Sequence, residues 1–121
     1  PKNVHFKGQV PQDELKDYLA NSDCYLFPSL CEGCAQSGME ALTAGLPVIA
    51  TYESGLPITD RKTGILIDTA NVKSIVDAVL ELSSDISLRK QLGECAAQMM
   101  KEHYTWDIYS KNMLNVYKGN N

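Results

Sequence analysis

Short apolar runs bounded by glycine or proline, set between longer amphipathic stretches, restrict the fold of this chain more than any other feature. Cys24-Tyr-Leu-Phe27 is stopped by Pro28, Pro47-Val-Ile-Ala50 follows Gly45, and Gly64-Ile-Leu-Ile67 follows a charged turn. Runs with no polar alternation are the pattern of strands covered on both faces, as in a parallel sheet. A further short strand is expected at Val4–Phe6, ending at Gly8. The intervening stretches have helical periodicity. Pro11 opens a helix reaching about Ser22, with Leu15, Tyr18 and Leu19 on one face. A second runs from about Gln36 to Ala44, with Gly45 placed as its terminating glycine. A third covers 71–83 with Ile75, Val76, Val79 and Leu80 inward, and a fourth covers 85–101 with Leu92, Ala96, Met99 and Met100 along one stripe. Thr105 caps a last helix carrying Trp106, Tyr109, Met113 and Val116, and 54–62 reads as irregular or a short helix. Strands and helices in this order predict an α/β fold, a parallel sheet flanked by helices.

Size and charge narrow the function. With 121 residues the chain is read as a single domain, 1–121. The net charge of −4 and the absence of any basic run leave no field to attract nucleic acid. No apolar stretch approaches the roughly 20 residues of a membrane span. The opening Pro1-Lys2-Asn3 reads as the interior of something longer. Cys31 and Cys34 form a lone C-x-x-C with no second ligand pair, so no metal site is expected and the thiols are read as free. Ser29 and Ser37 have no histidine near them in sequence, which leaves a hydrolase triad without support.

The chemistry is concentrated in Glu32-Gly-Cys-Ala-Gln-Ser-Gly-Met-Glu40, a loop that leaves an apolar strand and enters a helix. Gly33 allows a ligand close to the backbone. The N–H groups of Cys34, Ala35, Gln36 and Ser37 are placed as free donors of the first turn, a site for an anion such as a diphosphate. Glu32 and Glu40, one on each side of those donors, suit vicinal hydroxyls, because each carboxylate oxygen accepts an O–H. Spacing alone leaves open a solvated glutamate in a loop and another on a helix surface.

The whole string resembles the E-x7-E signature of the group 1 (family 4) glycosyltransferases of GT-B fold. Asn3-Val-His-Phe-Lys-Gly8 looks like a strand of that family's C-terminal domain, and Asp23-Cys-Tyr-Leu-Phe-Pro-Ser29 like the strand leading into the donor loop. Glu40-Ala-Leu-Thr-Ala-Gly-Leu-Pro-Val48 resembles the family's E-A-x-x-x-G-x-P-V core, Thr63-Gly-Ile-Leu-Ile67 its T-G-x-L-V strand, and Tyr104-Thr-Trp106 the opening of its closing helix. The resemblance implies a partial Rossmann-like sheet, the donor-binding part of a two-domain enzyme that transfers a sugar, with retention, from a nucleotide-diphosphate sugar. It implies that Glu32 contacts the transferred sugar and is the catalytic-site carboxylate, that Gly33, Cys34, Ala35, Gln36 and Ser37 approach sugar and diphosphate, and that Glu40 holds the ribose.

It further implies no cofactor or metal beyond the donor itself. A sugar, lipid-linked or small-molecule acceptor is expected on an N-terminal domain. The expected location is cytoplasmic, with peripheral membrane attachment of the full-length protein left open. The chain departs from the family pattern in four ways. The basic Arg/Lys pair and the acceptor domain fall outside this sequence. Ala35 and Gln36 differ mildly from the usual residues, and the G-G-x-x-E loop is reduced to Ser54-Gly-Leu-Pro57 with Ile58 at the acidic position. In the order of such sheets Val4–Phe6 has no native neighbour. It is expected to slide beside Cys24–Phe27 or to mediate self-association. A non-catalytic nucleotide- or partner-binding module of receiver type, and a different GT-B enzyme such as an epimerase or phosphorylase, are the alternative readings. Asp60, Arg61 and Lys62 read as a solvated charged turn, with phosphate contact by Arg61 or Lys62 as the second reading.

Overall fold

A computed structural model describes residues 2–119. Three strands, β1 (Tyr25–Phe27), β2 (Val48–Thr51) and β3 (Ile65–Ile67), form a parallel sheet in the order β1-β2-β3. Ile49 stands opposite both Leu26 and Ile65, and Ala50 opposite both Phe27 and Leu66. The helices are α1 (Gln12–Ala20), α2 (Gln36–Thr43), α3 (Val72–Ser84), α4 (Ile86–His103) and α5 (Trp106–Tyr117). This is the expected Rossmann-like α/β arrangement. Each crossover between neighbouring parallel strands carries the chain from the carboxyl edge of the sheet back to its amino edge.

The sheet divides two cores. Val48 and Ala50 face one, with Leu19 of α1, Ala41 and Leu42 of α2, and Ala96 and Met100 of α4. Ile49 faces the other, with Ile65, Ile67, Ala78, Leu82 and Leu92. Alternate β2 residues therefore serve opposite cores, and the strand is buried on both faces. Helix α4 contributes to both cores, Leu92 to one and Ala96 to the other. It rests on the turn after α2. There Gly45, at φ +75, ends the helix with its own N–H on the Leu42 carbonyl at 3.1 Å and the Leu46 N–H on Ala41 at 3.0 Å, the paired bonds of a left-handed glycine terminus.

Three helices, α3, α4 and α5, start at side-chain caps. Asn71 accepts from the Ser74 N–H, Asp85 from Leu88 and Thr105 from Ile108. The Asp85 carboxyl lies below the ordinary aspartate range because the Ser87 hydroxyl, then the Leu88 N–H, bond its charged form. A depressed folded-state value makes this contribution complete above the unfolded value of about 3.9, and it is lost as pH falls through the folded value. Asp85→Ala is therefore expected to melt below the parent chain at neutral pH, with the gap closing under acid. Thermal melts from pH 7 to pH 3 read this directly, and a gap independent of pH would refute it.

Three expectations are corrected. Val4–Phe6 is not a strand: its residues are irregular and exposed, Phe6 at 95%, and among the described residues it joins no ladder. A strand exists only through hydrogen bonds to a neighbour, and among the described residues β1 pairs with β2 alone. The inward stripe of α3 is Ile75, Ala78, Val79 and Leu82, while Val76 and Leu80 point outward. The run at β1 is not covered on both faces, since Leu26 is 40% exposed on the edge strand. The 54–62 segment is irregular beyond Ser54, the last residue of a short helix at Tyr52–Ser54. Among the described residues no helix is long and apolar enough to cross a membrane.

Candidate functional site

Every residue of the proposed site lies at the carboxyl edge of the sheet or just beyond it. Chain 28–35 leaves β1 there and delivers the backbone to α2, whose flanking residue Ala35 provides no side-chain cap. The first intrahelical bond is Met39 N–H to the Ala35 carbonyl, 3.1 Å. The N–H groups of Ala35, Gln36, Ser37 and Gly38 thus form the free first turn, one residue later than the sequence suggested. They point out of the helix end and carry its positive dipole. Ala35 is buried at 7%, so the loop is pinned at the helix entrance while Glu32, Gly33 and Cys34 are exposed.

Glu40 lies one turn into α2 and is half-buried. Its Oε1 accepts from the Gln36 Nε2 at 3.2 Å and from the Gln12 Nε2, at the start of α1, at 3.1 Å. Two amides thereby fix one carboxylate oxygen and leave Oε2 for a ligand. The carboxylate opens into a groove of about 820 Å³ between α1 and α2, floored by Leu15, Leu19 and Met39 and closed by Tyr104 and Trp106. Glu32 lies ahead of the helix, and its N–H is held by the Glu53 carbonyl at 2.9 Å. The two glutamates make no contact with each other in this arrangement; the free N–H groups lie between them along the chain.

Three contacts were not apparent from the sequence. The Ser37 hydroxyl is engaged with the Tyr25 hydroxyl at 2.7 Å, so Ser37 offers a ligand its backbone alone. Gln12 completes the setting of Glu40. Glu53, on the loop after β2, accepts from the Thr69 hydroxyl, which holds its carboxyl below the ordinary glutamate range. Tyr25, Gln12 and Thr69 carry no motif, and only the topology brings them to this edge.

Arg61 is turned away from the site. It precedes β3, at the amino edge of the sheet, and pairs with Glu81 of α3. Cys31 and Cys34 are exposed and unbonded. The Cys24 thiol is pushed up, first by burial and then by Asp23, which keeps it protonated near neutrality. Among the described residues no group of three or more histidine, cysteine or carboxylate side chains is arranged to hold a metal.

Comparison with known proteins gives this edge its context. Residues 1–99 match the family described as Glycosyl transferases group 1. A GDP-mannose-dependent alpha-(1-6)-phosphatidylinositol monomannoside mannosyltransferase of Mycobacterium tuberculosis is 29% identical over 97% of this chain and 33% of its own length. A D-inositol 3-phosphate glycosyltransferase of Streptomyces bingchenggensis is 33% identical over 94% of this chain and 25% of its own. The chain thus spans about a third or less of these relatives. Among solved structures, sucrose-phosphate synthase from Thermosynechococcus elongatus superposes with a TM-score of 0.88 at 23% identity, over 98% of this chain and 30% of that one. A TarM mutant of S. aureus, solved with fondaparinux, alpha-GlcNAc-glycerol and UDP, superposes with a TM-score of 0.86 at 27% identity, over 96% of this chain and 24% of that one. The C-terminal domain of a group 1 protein from Francisella tularensis superposes with a TM-score of 0.76 at 24% identity, over 85% of this chain and 53% of that domain. By sequence and by fold, the chain belongs to the group 1 glycosyltransferases and takes the form of the C-terminal part of their GT-B architecture.

Proposed function

We propose that this chain binds the nucleotide-diphosphate sugar of a retaining glycosyltransferase. The observation that carries the reading is the disposition of Glu32, the free N–H groups of α2 and Glu40 along one edge of the sheet. Such sheets take ligands beyond the carboxyl ends of their strands. In this reading the diphosphate meets the α2 N-terminus, Gly33 to Ser37 line it, Glu40 accepts from the ribose hydroxyls, and Glu32 accepts from the transferred sugar. Negative charge grows on the leaving phosphate in the transition state, and fixed N–H donors aimed at it lower the barrier. Neither metal nor cofactor has a role in this scheme. The TarM structure contains UDP, which supports a nucleoside diphosphate as the class of ligand. The acceptor, a sugar, a lipid-linked glycan or a small molecule, belongs to the domain that the relatives carry and this chain does not span.

The test is a titration of the full-length protein with a panel of nucleotide-diphosphate sugars. Saturable binding of one class supports the reading, and no binding to any of them refutes it. The 121-residue chain by itself is expected to transfer no sugar, because holding donor and acceptor together supplies a large share of the rate. Authentic turnover by pure chain would refute that expectation.

A further inference from the structure

Three loops leave the carboxyl edge of the sheet, after β1, β2 and β3, and the middle one is laced to both others. Toward the loop after β1, Thr51, 1% exposed, donates its hydroxyl to the Ser29 carbonyl at 2.5 Å. The Glu53 carbonyl accepts the Glu32 N–H at 2.9 Å. Gly55, at φ +66, lies so close that a Cβ there would stand 2.2 Å from the Gly33 carbonyl oxygen. One position on, Leu56 fills the space above Gly38, where a Cβ would meet its Cδ1 at 2.5 Å. On the other side the Glu53 carboxylate accepts from the Thr69 hydroxyl, in the loop that leads from β3 into α3.

We propose that Thr69 is a positioning residue for Glu32, acting through Glu53 across the three loops. The middle loop is a single turn, Tyr52–Ser54, closed by the Gly55 N–H on the Tyr52 carbonyl at 3.2 Å. Its ends are fixed by buried side chains, Thr51 and Ser54, each 1% exposed. Its middle residue, Glu53, is exposed, and its carboxylate is held by the Thr69 hydroxyl. Glu32 is also exposed, beside a glycine, and its recorded backbone bond is the one to Glu53. The place of Glu32 therefore follows the place of the Glu53 carbonyl, which Thr69 sets from the far side. Carboxylate and carbonyl of one residue serve as the two ends of a strut.

The inference rests on the reading of Glu32 as a contact to the transferred sugar, and the experiment separates the two. In the full-length protein, Thr69→Val, Thr69→Ser and Glu53→Ala are compared for amide exchange at Glu32, kcat, and Kd for the nucleoside diphosphate. Thr69→Val and Glu53→Ala are expected to raise exchange at Glu32 and lower kcat by about three- to tenfold, the worth of one partly solvated hydrogen bond. Kd should stay within about twofold, because Glu40 is held by Gln12 of α1 and Gln36 of α2 and makes no hydrogen bond to Glu53 or Thr69. Thr69→Ser keeps the hydroxyl and should restore both quantities. Unchanged exchange at Glu32, or failure of serine to restore it, overturns the proposed coupling. Faster exchange with unchanged kcat leaves the coupling standing and overturns the role of Glu32 in transfer.

Discussion

Glu40→Gln in the full-length protein is expected to weaken binding of the nucleoside diphosphate by about ten- to hundredfold, the effect of losing one charge-assisted hydrogen bond of about 1.5–3 kcal/mol. Gln12 and Gln36 already occupy Oε1 of this carboxylate, so the ligand depends on Oε2. An amide at position 40 accepts at one atom only. Whichever way it turns, it sets an N–H₂ donor against a glutamine donor or spends its sole acceptor on the protein. Glu32→Gln is expected to behave differently, leaving Kd for the diphosphate nearly unchanged and lowering kcat/KM for transfer by a comparable factor. Glu32 precedes the helix on an exposed loop, and the free N–H groups lie between it and Glu40 along the chain. Calorimetry with the nucleoside diphosphate beside steady-state kinetics decides the matter. Equal weakening of binding by both substitutions would refute the division of roles, and no effect from either would refute the site.

Gly93→Ala is expected to destabilise the fold by about 2 kcal/mol or more, visible as a fall in Tm of about 10 °C. A Cβ at position 93 would stand 2.0 Å from the Gly45 carbonyl oxygen and 3.0 Å from its carbon. Both are backbone atoms of the turn that ends α2, so no rotamer change relieves the overlap, and α4 must lift. The roughly 1 kcal/mol that alanine gains over glycine inside a helix is too small to offset this. Lifting α4 would also loosen Leu92 and Ala96, which are fully buried in the two cores. Gly33→Ala serves as the folding control, since a Cβ there meets nothing within 4 Å. Equal melting of Gly93→Ala and the parent chain would show that α4 does not rest on that turn.

What the sequence revealed and what it concealed divide along physical lines. The strands at 25–27, 48–51 and 65–67 were legible because unbroken apolar runs are local. So were the starts of α3, α4 and α5, because Asn71, Asp85 and Thr105 each bond an N–H three residues on. The facing of α3 was not: Ile75, Val76, Val79 and Leu80 form a wide apolar arc, and packing against β3 and α4 selects the side bearing Ala78 and Leu82. Val4–Phe6 has the composition of a strand, but its state depends on a neighbour its own residues cannot supply. At the site, Glu32, Gly33 and Glu40 stood out as a string on one loop and helix. The pairs Gln12–Glu40, Tyr25–Ser37 and Glu53–Thr69 did not, because they join residues 28, 12 and 16 apart. Such pairs form only once strand order is known.

The two-sided burial of β2 also governs how this sequence can vary. Val48, Ile49 and Ala50 are fully buried and Thr51 is 1% exposed. In a saturation library these four consecutive codons have no permissive position. A larger side chain at 48 or 50 intrudes on α2, one at 49 intrudes on α3, and each loss of volume leaves a cavity on its own side. Thr51 is constrained by chemistry as well as by size, since valine matches its shape and abandons the Ser29 carbonyl. Substitutions compatible with folding therefore accumulate elsewhere, on outward positions such as Val76, Leu80 and Tyr117, at 47%, 60% and 80% exposure. The segment that leads into Glu53 is held nearly invariant by packing alone, before any demand from a ligand.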